Sequence, residues 1–155
     1  MLQVSLGLRN LFLDQAKTAF ALGAIYVYTG AQPDNAELPP TGDLVAVISN
    51  NGGVYNPATG ANGLRVVNTG FGYLAPDPSQ VWVLRGVAAG TAGWARFIAK
   101  LDDASYSTTQ ARIDCGVNYG DTGLYLSDPA IVVGVQRVVD YWIYGIPPFA
   151  GNTPW

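Results

Sequence analysis

The groups in this chain that could move protons are carboxylates. None of its 155 residues is a histidine, which excludes a Ser-His-Asp triad, a Cys-His pair and every histidine-containing metal site. Two carboxylates facing one cleft could still hydrolyse a glycosidic bond, one as the acid and the other as base or nucleophile. Asp102-Asp103 is the adjacent pair that invites this reading. Between two alternating runs, however, neighbouring aspartates read as a solvated turn, because Asp forms turns with its own side chain. Asp114 lies near Arg112 on the outward side of its run and reads as a surface or interface charge. Asp34, Glu37 and Asp43 lack the spacing of a calcium loop, which alternates oxygen ligands around a glycine and closes on a glutamate. The single Cys115 falls in the apolar set of its run and reads as a buried, inert thiol. The glycines form neither a dinucleotide fingerprint nor a phosphate loop. No catalytic residue, cofactor-binding residue or metal ligand is therefore nominated, and no cofactor is expected.

Four Trp and nine Tyr offer a different chemistry. Flat rings stack on sugars and also dominate interfaces. Trp82, Trp94 and Trp142 lie inside predicted strands and read as core. Phe149 and Trp155 belong to a tail, residues 146–155, too rich in Pro and Gly to continue a strand. Ordering such an arm costs entropy that docking its aromatics on another subunit would offset.

Hydrophobic residues make up 49% of the chain and charged residues only 12%, about half the ~25% of an average domain. The surface must be largely neutral polar, small or apolar, which points to cover by copies of this chain or by other subunits. The net charge of −3 and the scatter of the eight basic residues argue against direct nucleic-acid binding, which needs clustered Lys and Arg. Apolar stretches break well before the ~20 residues of a membrane span, and the amino terminus lacks the pattern of a signal peptide. The expectation is a protein made in the cytoplasm, with one cysteine, in keeping with a reducing compartment. Its length suits one domain, residues 1–155, burying about two thirds of its unfolded surface.

These residues must be positioned by local structure. Leu8, Leu11, Phe12, Ala16, Ala19 and Phe20 recur at helical intervals, predicting a helix over about residues 6–22 that Gly23 ends in a left-handed conformation. The period then becomes two. Strands are predicted at 25–28, 44–48, 64–69, 81–88, 94–101, 110–117, 122–126, 131–135 and 137–145, with Arg96 and Lys100 outward and Cys115 inward. Turn residues separate them, and residues 50–80 read as long loops around the 64–69 strand. Short strands with nineteen Gly and ten Pro between them predict a mainly β fold, an antiparallel β-sandwich or jelly roll with one N-terminal α-helix.

Three segments carry a resemblance: Ile25-Tyr26-Val27-Tyr28-Thr29-Gly30-Ala31-Gln32-Pro33, its continuation Pro40-Thr41-Gly42-Asp43-Leu44-Val45, and Gly90-Thr91-Ala92-Gly93-Trp94-Ala95-Arg96-Phe97. In this order, behind a leading helix, the chain resembles a family of small virion structural proteins of tailed bacteriophages. The segments around Asp114, Leu124-Tyr125-Leu126 and Val135 to Pro148 resemble that family's last strands. Residues 50–80 and the tail look extended relative to the pattern. The resemblance implies a non-enzymatic virion protein, a capsid decoration or cement subunit held by burial against the major capsid protein or other virion proteins, and self-associating. A tail, neck or fibre component with carbohydrate recognition is the alternative, and a glycan-cleaving enzyme a third class. The expected contacts are Gln32, Pro33 and Asp34 in the 31–43 loop, Tyr55, Phe71 and Tyr73 in residues 50–80, and Phe149 and Trp155 in the tail.

Overall fold

The computed structural model describes residues 3–119 and 123–146 of the chain. It opens on helix α1, Leu6–Ala19. Ser5 caps it: its backbone is extended and its Oγ accepts from the Leu8 amide at 3.2 Å, satisfying one of the orphan donors of the first turn. The end differs from expectation. Leu22 takes the left-handed conformation, at φ 63°, whereas Gly23 does not. Gly23 is needed for space instead, because a Cβ there would lie 2.1 Å from the Ile98 carbonyl oxygen.

Six strands form the larger sheet: β1 (Ala24–Tyr28), β2 (Leu44–Asn50), β5 (Trp82–Gly86), β7 (Trp94–Ile98), β8 (Arg112–Gly116) and β11 (Gln136–Val138), in the order β11-β5-β2-β1-β7-β8. A second sheet has the order β3-β4-β12-β9, from β3 (Val66–Asn68), β4 (Tyr73–Pro76), β12 (Tyr141–Gly145) and β9 (Gly123–Tyr125). A short pair joins β6 (Gly90–Thr91) to β10 (Ala130–Ile131). Every named strand pair is antiparallel. The result is the expected mainly β, sandwich-like arrangement with one N-terminal helix.

The core lies between the sheets. Ile25, Val27, Ile48, Leu84 and Phe97 of the larger sheet cluster with Leu74, Leu124 and Trp142 of the smaller one and with Leu13 and Phe20 from the helix side. Phe97 is its centre: its ring centroid lies 4.8 Å from Phe20, 5.4 Å from Trp142 and 6.0 Å from Trp82. Trp82 and Trp142 belong to this core as expected, whereas Trp94, also buried, lies on the other face of the sheet with Arg96.

Four local expectations need correction. The 131–135 strand stops at Ile131, and a turn with Gly134 at φ 79° follows. The 137–145 strand is two strands, β11 and β12, that belong to different sheets. Residues 50–80 hold a β3–β4 hairpin rather than one strand among loops. Finally, α1 is rotated relative to its predicted inner face: Leu13 and Phe20 are buried with Arg9 and Ala16 partly so, whereas Leu8, Leu11, Phe12 and Ala19 are exposed. Polar ties fix this rotation. Asn10 Nδ2 donates to the Gly70 carbonyl, Asn10 Oδ1 accepts from the Gly72 amide, and Asn68 Nδ2 donates to Asp14 Oδ1 and to the Asn10 carbonyl. With Asn10 and Asp14 turned to the β3–β4 hairpin, the 8, 11, 12, 19 stripe is left facing away.

Candidate functional site

The outer face of the larger sheet carries the polar chemistry. Its strand register sets one transverse row: Asp114, Arg96, Tyr26, Val47, Arg85 and Gln136, from β8, β7, β1, β2, β5 and β11 in turn. Side chains opposite one another in such a row share a face.

At one end of the row two arginines are clamped. Arg96 Nε and Nη2 donate to Asp114 Oδ1 and Oδ2 at 2.6 and 2.7 Å, and Nη1 donates to the Leu38 carbonyl at 2.8 Å. The two side chains are 0% and 6% exposed. Beside them Arg112 grips both oxygens of Asp102 at 2.6 Å and donates to the Ser105, Ala36 and Glu37 carbonyls. These forks fasten the 31–43 loop over β7 and β8, and Trp94 Nε1 adds a bond to the Thr41 carbonyl. The loop covers the outward face of β7, so all five of its residues are buried.

Three sequence readings are thereby corrected. Arg96 does not point to solvent, because its charge is neutralised by a two-pronged ion pair under the loop. Asp114 is no surface charge, and its partner is Arg96 rather than Arg112. Asp102 is not a solvated turn residue, since its carboxylate is buried against Arg112. Asp103 stays exposed, and the Ser105 hydroxyl and amide that donate to it hold its carboxyl below the usual range. Asp102 and Asp103 thus have separate partners. The Asp102 and Asp114 carboxylates, buried under their arginine forks, are shut away from any substrate in solvent.

Cys115 is partly buried in the inward set of β8, and burial pushes its thiol up to about 11, keeping it protonated at neutral pH. Tyr28 stacks on Trp94 with centroids 4.7 Å apart, and burial raises its hydroxyl to about 12, against a smaller opposite pull from Arg96. Among the described residues no group of three or more His, Cys, Asp or Glu is arranged to hold a metal ion, and no helix is long and apolar enough to cross a membrane.

The largest feature that sequence reading turned the wrong way round is the outward face of α1. Leu8, Leu11, Phe12 and Ala19 project there, Leu11 at 63% and Phe12 at 51% exposed. Only Gln15 and Thr18 interrupt this stripe, and it carries no charge; Asp14 and Lys17 lie on other faces. A solvated helix normally reserves that face for polar residues. The spacing was legible, but assigning the stripe to the core was the simpler inference.

The expected contact residues do not form one patch. Gln32 and Asp34 are exposed on the fastened loop, whereas Pro33 is buried beneath it. Phe71, 73% exposed, tips the β3–β4 turn beside α1. Tyr55 is half-buried against Tyr26, and its hydroxyl donates to the Leu22 carbonyl. Tyr73 lines a cavity of about 580 Å³ with Trp82, Tyr141 and Trp142. Phe149, Trp155 and nearly all of the 146–155 tail lie outside the described residues. No protein-family model, no curated protein and no solved structure matches the chain.

Proposed function

We propose that this chain is a non-enzymatic structural subunit of a tailed-bacteriophage particle, a decoration or cement protein that docks on the outer shell through the outward face of α1. The resemblance of the Tyr28-Thr29-Gly30 and Gly90-Thr91-Ala92-Gly93-Trp94 segments supplies the class of particle. The uncharged stripe of Leu8, Leu11, Phe12 and Ala19 is the observation that carries the docking reading. Burying the exposed half of each Leu or Phe side chain contributes about 1 kcal/mol. The face alone therefore gives a modest contact, and its effect grows when symmetry repeats it over many copies that bridge neighbouring subunits. The face is held in place because Arg9, Asn10 and Asp14 tie the helix to the hairpin and to Ile146, the residue after β12.

The test is the double variant Leu11→Asp/Phe12→Asp. Both side chains are exposed, so the circular dichroism and melting of the free protein stay close to those of the parent. Retention on particles is expected to fall at least about tenfold, as burying two carboxylates against an apolar shell demands. Retention equal to the parent's would overturn the docking face.

A further inference from the structure

On the same outer face of the larger sheet, in the middle of the transverse row and beginning one strand from the clamped Arg96, is a cavity of about 390 Å³. The row explains its shape. Val47 is short and lies between two taller side chains, Tyr26 on β1 and Arg85 on β5, whose strands are about 10 Å apart across β2. Val47 is the floor, and Tyr26 and Arg85 rise as walls. The Tyr55 ring, edge-on to Tyr26 at 6.4 Å, closes one side, with Val54 and Val133 at the rim.

Arg85 is singular. The other five arginines each donate to a carboxylate, a carbonyl or a hydroxyl. Arg85 makes no hydrogen bond or ion pair among the described residues, although it is half-buried. The register supplies the reason: its row neighbours are Val47 and Gln136, and the acid of that row, Asp114, is four strands away and already held by Arg96. The Tyr26 hydroxyl is likewise unbonded. Ser49 and Tyr55, the other polar side chains of the wall, spend their hydroxyls on the Gly53 and Leu22 carbonyls.

We propose that this cavity binds a carboxylate carried on a compact apolar body, the carboxylate on Arg85 and the Tyr26 hydroxyl and the body against Val47 and Tyr55. The planar fork of a guanidinium matches the two oxygens and single charge of a carboxylate. A phosphate would bring more charge and more acceptors than one arginine and one hydroxyl satisfy. A neutral sugar would leave most of its hydroxyls facing valines. The cavity falls in the size range of small-ligand sites, about 300–1,000 Å³. The same chemistry is presented by a free aryl or alkyl acid and by an acidic side chain set between apolar residues of a partner polypeptide.

Titration of the ¹⁵N-labelled full chain distinguishes these sources and tests the site. The probes are phenylacetate, phenylacetamide, acetate, and a blocked Val-Glu-Phe peptide. Phenylacetate is expected to shift the amides of Val47, Gly53 and Val87, with the amide and acetate each weaker by at least about tenfold, the loss of a charge-assisted pair or of the apolar body. Arg85→Gln should abolish the preference for acid over amide. Val133→Trp, at an exposed rim position, should block all binding without touching the fold. Binding of the blocked peptide in the same place assigns the ligand to a partner chain; binding of phenylacetate alone assigns it to a free acid, and both outcomes uphold the site. Equal binding of acid and amide, undiminished binding by Arg85→Gln, or no shift with phenylacetate overturns it. Because none of these measurements involves a particle, their failure leaves the α1 docking face standing.

Discussion

Asp114→Ala lowers the stability of the fold by about 3–5 kcal/mol, since it leaves the fully buried Arg96 guanidinium without its counter-ion. For a chain of this size that is a fall in Tm of roughly 6–20 °C. Thermal and denaturant melts followed by tryptophan fluorescence check it. The 31–43 loop should loosen at the same time, because Arg96 also holds the Leu38 carbonyl. Amide exchange of residues 31–43 is therefore expected to accelerate more than that of β1 or β2. Removing both charges, as Arg96→Met/Asp114→Leu, should recover much of the stability but not the loop protection, because a buried pair contributes more to geometry than to net free energy when compared with an apolar replacement. Arg65 and Asp77, 3.6 Å apart with Arg65 largely exposed, provide the control: screened by solvent, Arg65→Ala changes the melt little.

Phe97→Ala is the second large effect. Its ring touches aromatics from both sheets and from the helix side, so truncation leaves a cavity between three elements that cannot all collapse into it. About 3–5 kcal/mol of stability should be lost. Phe97→Leu, which keeps most of the volume, should cost clearly less. Equal losses for the two variants would mean that the ring's neighbours rearrange freely and that the sheets are not held in register by this cluster.

What the sequence made legible follows the strength of periodicity. Residues 110–117 alternate without interruption, and 94–101 do so but for Trp94 and Ile98 on the side of Arg96 and Lys100; β8 and β7 formed inside them. Residues 131–135 are as apolar, yet Gly134 takes a positive φ that bends the chain after Ile131, a backbone event that no apolar count reveals. The helix was legible as a helix and not in its rotation, because apolar residues occupy more than one face and long-range bonds from Asn68, Gly70 and Gly72 chose between them. Arg96 and Asp114 were each correctly assigned to the outward side of their strands. What alternation cannot show is that a loop lies over that side, or that the two residues are directly opposed across the β7–β8 pairing. The signal that could have found them was the conjunction of an outward Arg and an outward Asp on neighbouring strands. Arg85 left no such trace: its distinction is the absence of a partner, which only the strand order β5-β2-β1-β7-β8 creates.

The role we propose makes this chain a repeated structural subunit of a virus shell. Quantitative mass spectrometry of purified particles, normalised to the major capsid protein, decides it. A stoichiometry comparable to that of the shell subunit is expected. A few copies per particle would move the protein to the neck or tail, and its absence from particles would overturn the proposed role.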